Sequence, residues 1–215
     1  MLLLLLLLLC TWPFIIQQTL ANTEKTIFLA PPSIPIPDVN PGLDNLCLHT
    51  LSPTHRALRT KLAVSFPTIE QPRGNQSWFL LDGLDPARRY EVRQPTQFWL
   101  DAHTITTVFE TPNLITPLAH YSEEQQGHCP QSAGSRRQDQ TVLFLQIQAA
   151  ADFFTLNKTL MSDPPLVDVD IILDPYILNV FPRSLLPTAG YITIIAVASY
   201  FLATYVYTCM TQEDV

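Results

Sequence analysis

Three rhythms of apolar and polar residues divide this chain. Two stretches are apolar without interruption, several short ones alternate with the period of two that sets one side of a strand against a core, and one carries helical spacing. The longest uninterrupted run, residues 189–210, contains no Asp, Glu, Lys, Arg or Pro. As a helix it covers about 33 Å, enough to cross a hydrocarbon layer of about 30 Å. Pro187 precedes it, where a helix start tolerates proline. The pattern predicts a transmembrane helix over 188–210 and a short tail over 211–215. The other run begins at Met1 with eight leucines and continues through Phe14, Ile15 and Ile16. Small residues at Thr19 and Ala21 make it a signal peptide over 1–21, with the mature chain starting near Asn22. The alternative is an uncleaved signal anchor. Both readings export residues 22–183. Flanking charge argues weakly the other way, since Arg183 falls on the exported side and the tail carries Glu213 and Asp214. An N-terminal signal dominates orientation, and acidic residues count little.

Between these runs lie short β-prone segments. Residues 24–30 read as a first strand. Residues 31–41 hold five prolines that remove ladder donors, and so form an extended connector. Strands are predicted at 46–51 and 58–66, then at 77–81 and 88–93 on either side of a tight corner. Leu84, Pro86, Tyr90 and Val92 at that corner have the spacing of the tyrosine corner of immunoglobulin-like and fibronectin type III sandwiches, where a tyrosine hydroxyl bonds back to upstream backbone. Further strands are predicted at 97–100, 107–110, 141–148 and 166–173. Residues 113–124 form one helical insertion, with Leu114, Ile115, Leu118 and Tyr121 on its apolar face. Residues 125–140 are polar and read as a loop. The predicted fold is mainly β, an immunoglobulin/fibronectin-III-like sandwich with one short helical insertion and a C-terminal membrane helix.

Composition refines this picture. About 160 residues remain between the two apolar ends, which suits one domain. A formal net charge of -7 argues against nucleic acid as a partner. Nineteen prolines against six glycines favour stiff loops over long helices in the exported part. Of four cysteines, Cys10 lies in the signal peptide and Cys209 in the membrane run. Cys47 and Cys129 remain as a candidate disulfide, which sequence leaves open because it does not fix their separation. Asn75 and Asn157 begin candidate N-glycosylation sequons, Asn75-Gln76-Ser77 and Asn157-Lys158-Thr159.

Candidate chemistry is sparse. Asp168-Val169-Asp170 has the form of the paired carboxylates with which glycosyltransferases hold a divalent metal. Alternation with Val167, Val169, Ile171 and Leu173 instead assigns Asp168, Asp170 and Asp174 to the solvent face of a strand. His49, His55, His103, His120 and His128 show no zinc spacing; His128 and Cys129 near Glu123 and Glu124 are the one cluster. No catalytic, cofactor or metal residue is assigned. In the membrane run, Ala196, Ser199 and Ala203 lay small side chains along one side, a candidate helix-packing face, while Thr193, Thr204 and Thr208 add hydroxyls. The same hydroxyls also suit a lone anchor that satisfies them on its own carbonyls.

Residues 24–31, Trp78-Phe79, 89–93, Gln94-Pro95-Thr96, 147–154, 169–175 and 179–184, followed by the membrane helix, resemble the fungal co-activator subunit of GPI mannosyltransferase II. The resemblance runs through nearly the whole chain in order. It implies a noncatalytic, single-pass protein of the endoplasmic reticulum membrane. The implied partner is the multispanning transferase that adds the second mannose to the GPI precursor. In one departure Gln94 follows Arg93 directly, where the family pattern has the strand running on, and this predicts disturbed pairing near Tyr90. Two other readings share the topology, a cell-surface adhesion or receptor protein and a lumenal glycosyltransferase using Asp168 and Asp170.

Overall fold

The computed structural model describes residues 23–34, 42–95, 98–129 and 141–212. The predicted signal peptide, most of the proline connector, the greater part of the 125–140 loop and the end of the tail lie outside the described residues.

Strand β4 (Asn75–Leu84) shows how alternation builds the fold, because both of its faces are buried. Phe79 and Leu81 point into the main core. Trp78 and Leu80, one position out of phase, join a second cluster on the opposite side. The other strands fall into two sheets around it. One has the order β1 (Thr23–Leu29), β5 (Arg89–Pro95), β8 (Val167–Ile177), β3 (Ala57–Leu62), with β9 (Phe181–Pro182) added on β8. The other has the order β2 (His49–Leu51), β4, β7 (Thr141–Ala149), β6 (Phe98–Thr104). Every pairing between these strands is antiparallel except that of β2 with β4. The main core lies between the sheets, with Phe79, Leu145 and Ile147 from one and Tyr90, Val92, Ile171 and Leu173 from the other. At ~1.5–3 kcal/mol for each large apolar side chain removed from water, this layer supplies the main driving force for folding.

The second cluster adds a layer that the alternation alone does not reveal. Helices α1 (Ile105–Glu110) and α2 (Pro112–Gln125) cover the outer face of the β4–β7 sheet, where Val108 and Leu118 meet Trp78, Leu80 and Phe144. Residues 107–110 are therefore helical, not the strand that their β-branched composition predicts. The Thr104 side chain accepts a hydrogen bond from the Thr107 amide and caps α1, which outweighs the β propensity of Thr107 and Val108. The predicted single helical insertion is two consecutive helices, and a third short one, α3 (Lys158–Ser162), precedes β8.

Other differences have local causes. The strand predicted over 58–66 ends at Leu62, and the chain then crosses between sheets. Ser65 makes an isolated bridge to Ala150 there, so no single ladder runs the whole length. The strand predicted over 166–173 continues to Ile177. Pairing beyond Tyr90 is undisturbed, since β5 stays in register with β1 from Leu29↔Arg89 to Thr23↔Pro95. At the corner the Asp85 amide donates to the Tyr90 hydroxyl at 2.9 Å, and Leu84 and Tyr90 are both buried. A bulge between Leu81 and Leu84 turns the strand into that corner. Gly83 takes φ +67 there, a conformation that a Cβ would disfavour.

Helix α4 (Leu186–Gln212) is long and apolar enough to cross a membrane, and none of it is buried against the domain. A 3-10 turn at Arg183–Leu185 leads directly into it.

Candidate functional site

The turn that leads into α4 is tied to the sandwich by a polar cluster on the outer face of the β5–β8 pair. Register sets this up: Glu91 lies opposite Asp174, and Arg93 opposite Ile172. Tyr90, Val92 and Leu173 fill the core, so Glu91, Arg93, Asp174 and Tyr176 must project to the other side. The alternation places Asp174 in solvent, yet it is only 2% exposed and Glu91 only 4%. Their cover comes from the chain leading into α4. Strand β9 pairs Pro182 with Tyr176, and the turn that follows lies over the carboxylates.

Arg93 organises the cluster. Its guanidinium donates to Asp174 Oδ2 at 3.2 Å and to Ser184 Oγ at 2.7 Å, and its Nε lies 3.7 Å from Glu91 Oε1. The Ser184 amide donates to the same Asp174 oxygen at 3.1 Å. The Tyr176 hydroxyl donates to Glu91 Oε2 at 3.1 Å, while the Arg89 guanidinium lies over the Tyr176 ring. One arginine thus serves two buried acids and a backbone turn. Hydrogen bonds join Arg93, Asp174 and Ser184, and Tyr176 to Glu91, so the cluster ties the chain entering α4 to the domain. Exposed apolar side chains border it: Leu178 and Val180 in the β8–β9 turn, Leu185 and Leu186 at the helix start, and Ile27 and Leu29 on β1.

Burial, followed by the hydrogen bond to Glu91 and its charge, raises the Tyr176 pKa above its ordinary 10.0. Burial likewise raises Tyr90 and Tyr121. The folded protein then keeps phenolic protons that the unfolded chain gives up. The stability they contribute is full below about pH 10 and is lost as pH rises through the folded values. Melting curves between pH 8 and pH 11 are expected to show this fall, and Tyr176→Phe is expected to make it shallower.

Of the two carboxylates that raised a metal-site reading, Asp170 is committed to an ion pair. Both oxygens of Asp170 accept from the Arg59 guanidinium at 2.7 Å, and Asp168 faces Lys61 across the β3–β8 ladder. The Arg59 hydrogen bond holds the Asp170 carboxyl below its usual range. Among the described residues no group of three or more His, Cys, Asp and Glu is placed to hold a metal ion. Cys47 and Cys129 are joined as a disulfide with Cα atoms 4.5 Å apart, tying the chain before β2 to the chain after α2. Asn75 is half-buried on β4, whereas Asn157 is exposed just before α3. On α4, Thr193, Thr204 and Thr208 donate to carbonyls of their own helix, and Ser199 makes no such bond among the described residues.

Sequence reasoning missed the Glu91–Arg93–Asp174–Ser184 cluster, because the groups that bury it come from a later turn of the chain. The one local signal was an aspartate and a proline closing the apolar run Ile171-Ile172-Leu173.

No protein-family model matches the chain, and no solved structure matches it. A segment of 49 residues is 35% identical to a protein named GPI mannosyltransferase 2 subunit from Schizosaccharomyces pombe. The segment makes up 23% of this chain and spans 28% of that protein's length.

Proposed function

We propose that this chain is a noncatalytic, single-pass accessory subunit of a GPI mannosyltransferase II in the endoplasmic reticulum membrane. Its sandwich lies in the lumen, and its catalytic partner is a multispanning protein that adds the second mannose to the GPI precursor. The observation that carries this reading is the local similarity to a GPI mannosyltransferase 2 subunit. It agrees with the resemblance that runs through the chain and with a C-terminal helix suited to a membrane. The cluster at the helix base supports it further, since a tied junction lets the helix and the lumenal face engage one partner together. On α4, Ala196, Ser199 and Ala203 leave room for close approach of a second helix.

The engagement of Asp170 by Arg59 counts against the reading in which this chain is itself a metal-dependent glycosyltransferase. The test is a mild-detergent pull-down of the tagged chain from microsomes, with transfer of the second mannose assayed in the recovered material. A multispanning mannosyltransferase is expected to co-purify, and activity is expected to survive Asp168→Asn combined with Asp170→Asn. Recovery of this chain alone, with metal-dependent transfer that those replacements abolish, would reject the accessory reading. Delivery to the cell surface with no transferase attached would favour the receptor reading instead.

A further inference from the structure

Both tripeptides satisfy the Asn-X-Ser/Thr rule, but the fold treats them differently. We propose that the protein carries a single N-linked glycan, on Asn157, and that Asn75 is left unmodified in the folded protein. The proposal rests on the lumenal placement of the sandwich given above, because the oligosaccharide is added on that side of the membrane.

Asn75 begins β4 in phase with Ser77, Phe79 and Leu81. Phe79 and Leu81 belong to the core between the sheets, and side chains two apart on a strand share a face. Asn75 is thus directed toward the end of the space between the sheets. It stands opposite Ala149, which is 1% exposed. The backbone leaves no slack. Gly74 takes φ +74 and packs so closely on the Ala149 carbonyl that a Cβ there would collide with it. The sequon's third residue, Ser77, is 3% exposed. A branched, hydrated oligosaccharide on Asn75 would have to pass between the sheets or force the start of β4 off β7, and either outcome opposes closure of the core.

Asn157 has none of these constraints. It precedes α3, and Asn157, Lys158 and Thr159 are all exposed. Its Oδ1 accepts from the Thr159 amide at 3.0 Å, so the fold engages the side-chain oxygen and leaves the nitrogen that would carry the sugar unbonded among the described residues. The segment around it is unusual for a water-facing surface: Phe154 is 82% exposed and Leu156 is 92% exposed. A glycan rooted at Asn157 would spread over these side chains and shield them from other chains.

The test uses the full-length chain, tagged and expressed in cells, with gel mobility read before and after endoglycosidase H. The expected result is one endoglycosidase-sensitive step in the wild type, in Asn75→Gln and in Thr159→Ser, and none in Asn157→Gln or Thr159→Ala. Thr159→Ser keeps the sequon, so it separates loss of the glycan from loss of the local fold. A step that survives Asn157→Gln, or two steps in the wild type, would overturn the proposal. Protease treatment of sealed microsomes is read in parallel. An unmodified wild-type domain that is protected from protease overturns the glycan assignment alone, whereas one that is digested overturns the lumenal placement as well.

Discussion

Cys47→Ser is expected to lower the stability of the domain by about 4 kcal/mol. The disulfide closes a loop across a sequence separation of 82, and loop-closure entropy for a span of that size is worth about 4–5 kcal/mol in the unfolded chain. The bond is also placed where its loss matters locally. Cys129 follows the helical pair that covers Trp78, Leu80 and Phe144, and Cys47 lies beside Leu48 at the edge of the same cluster. Without the link, the chain after α2 loses its covalent tie to the chain before β2. Urea unfolding of the detergent-solubilised chain, followed by tryptophan fluorescence, measures the loss. Cys47→Ser, Cys129→Ser and the double variant should lose the same amount, since each removes one bond. Unchanged stability in all three would show that the bond contributes nothing.

Arg93→Ala is expected to cost about 3–5 kcal/mol, the range for removing one partner of a buried ion pair. The reason is the imbalance left behind. Glu91 and Asp174 face each other on adjacent strands, both almost fully buried, and Arg93 is the cation between them. Its own side chain is 27% exposed, so the reverse change, Asp174→Ala, is expected to cost less, because the orphaned guanidinium can turn toward water. Arg93→Lys keeps the charge and loses the fork that reaches Asp174 and Ser184 together, and should fall between wild type and Arg93→Ala. Equal costs for the Arg93 and Asp174 truncations would contradict this account of where the burial lies. The Arg93 variants should also weaken recovery of the transferase in pull-downs, because the cluster ties the chain entering α4 to the domain.

Much of the sandwich was readable because its cause is local. Alternation through the first part of β8 identifies its inward face without knowledge of the neighbouring strands, and the unbroken run 189–210 identifies a helix long and apolar enough to cross a membrane. The spacing of Leu84, Pro86 and Tyr90 marked a corner for the same reason, as the Tyr90 hydroxyl bonds an amide only five residues away. What escaped was set by partners distant in sequence. Asp174 has the phase of a solvent-facing residue and is buried by the turn after β9. Residues 107–110 have the composition of a strand and are helical because Thr104 caps them and Val108 finds a place against Trp78 and Phe144. A one-strand pattern cannot register cover from another part of the chain.

Depleting the chain from cells and profiling lipid-linked GPI precursors tests the accessory-subunit assignment most directly. Accumulation of a precursor bearing one mannose, reversed by restoring the wild-type chain and also by the Asp168→Asn, Asp170→Asn variant, is the predicted result. A normal set of intermediates in the absence of the chain would contradict it.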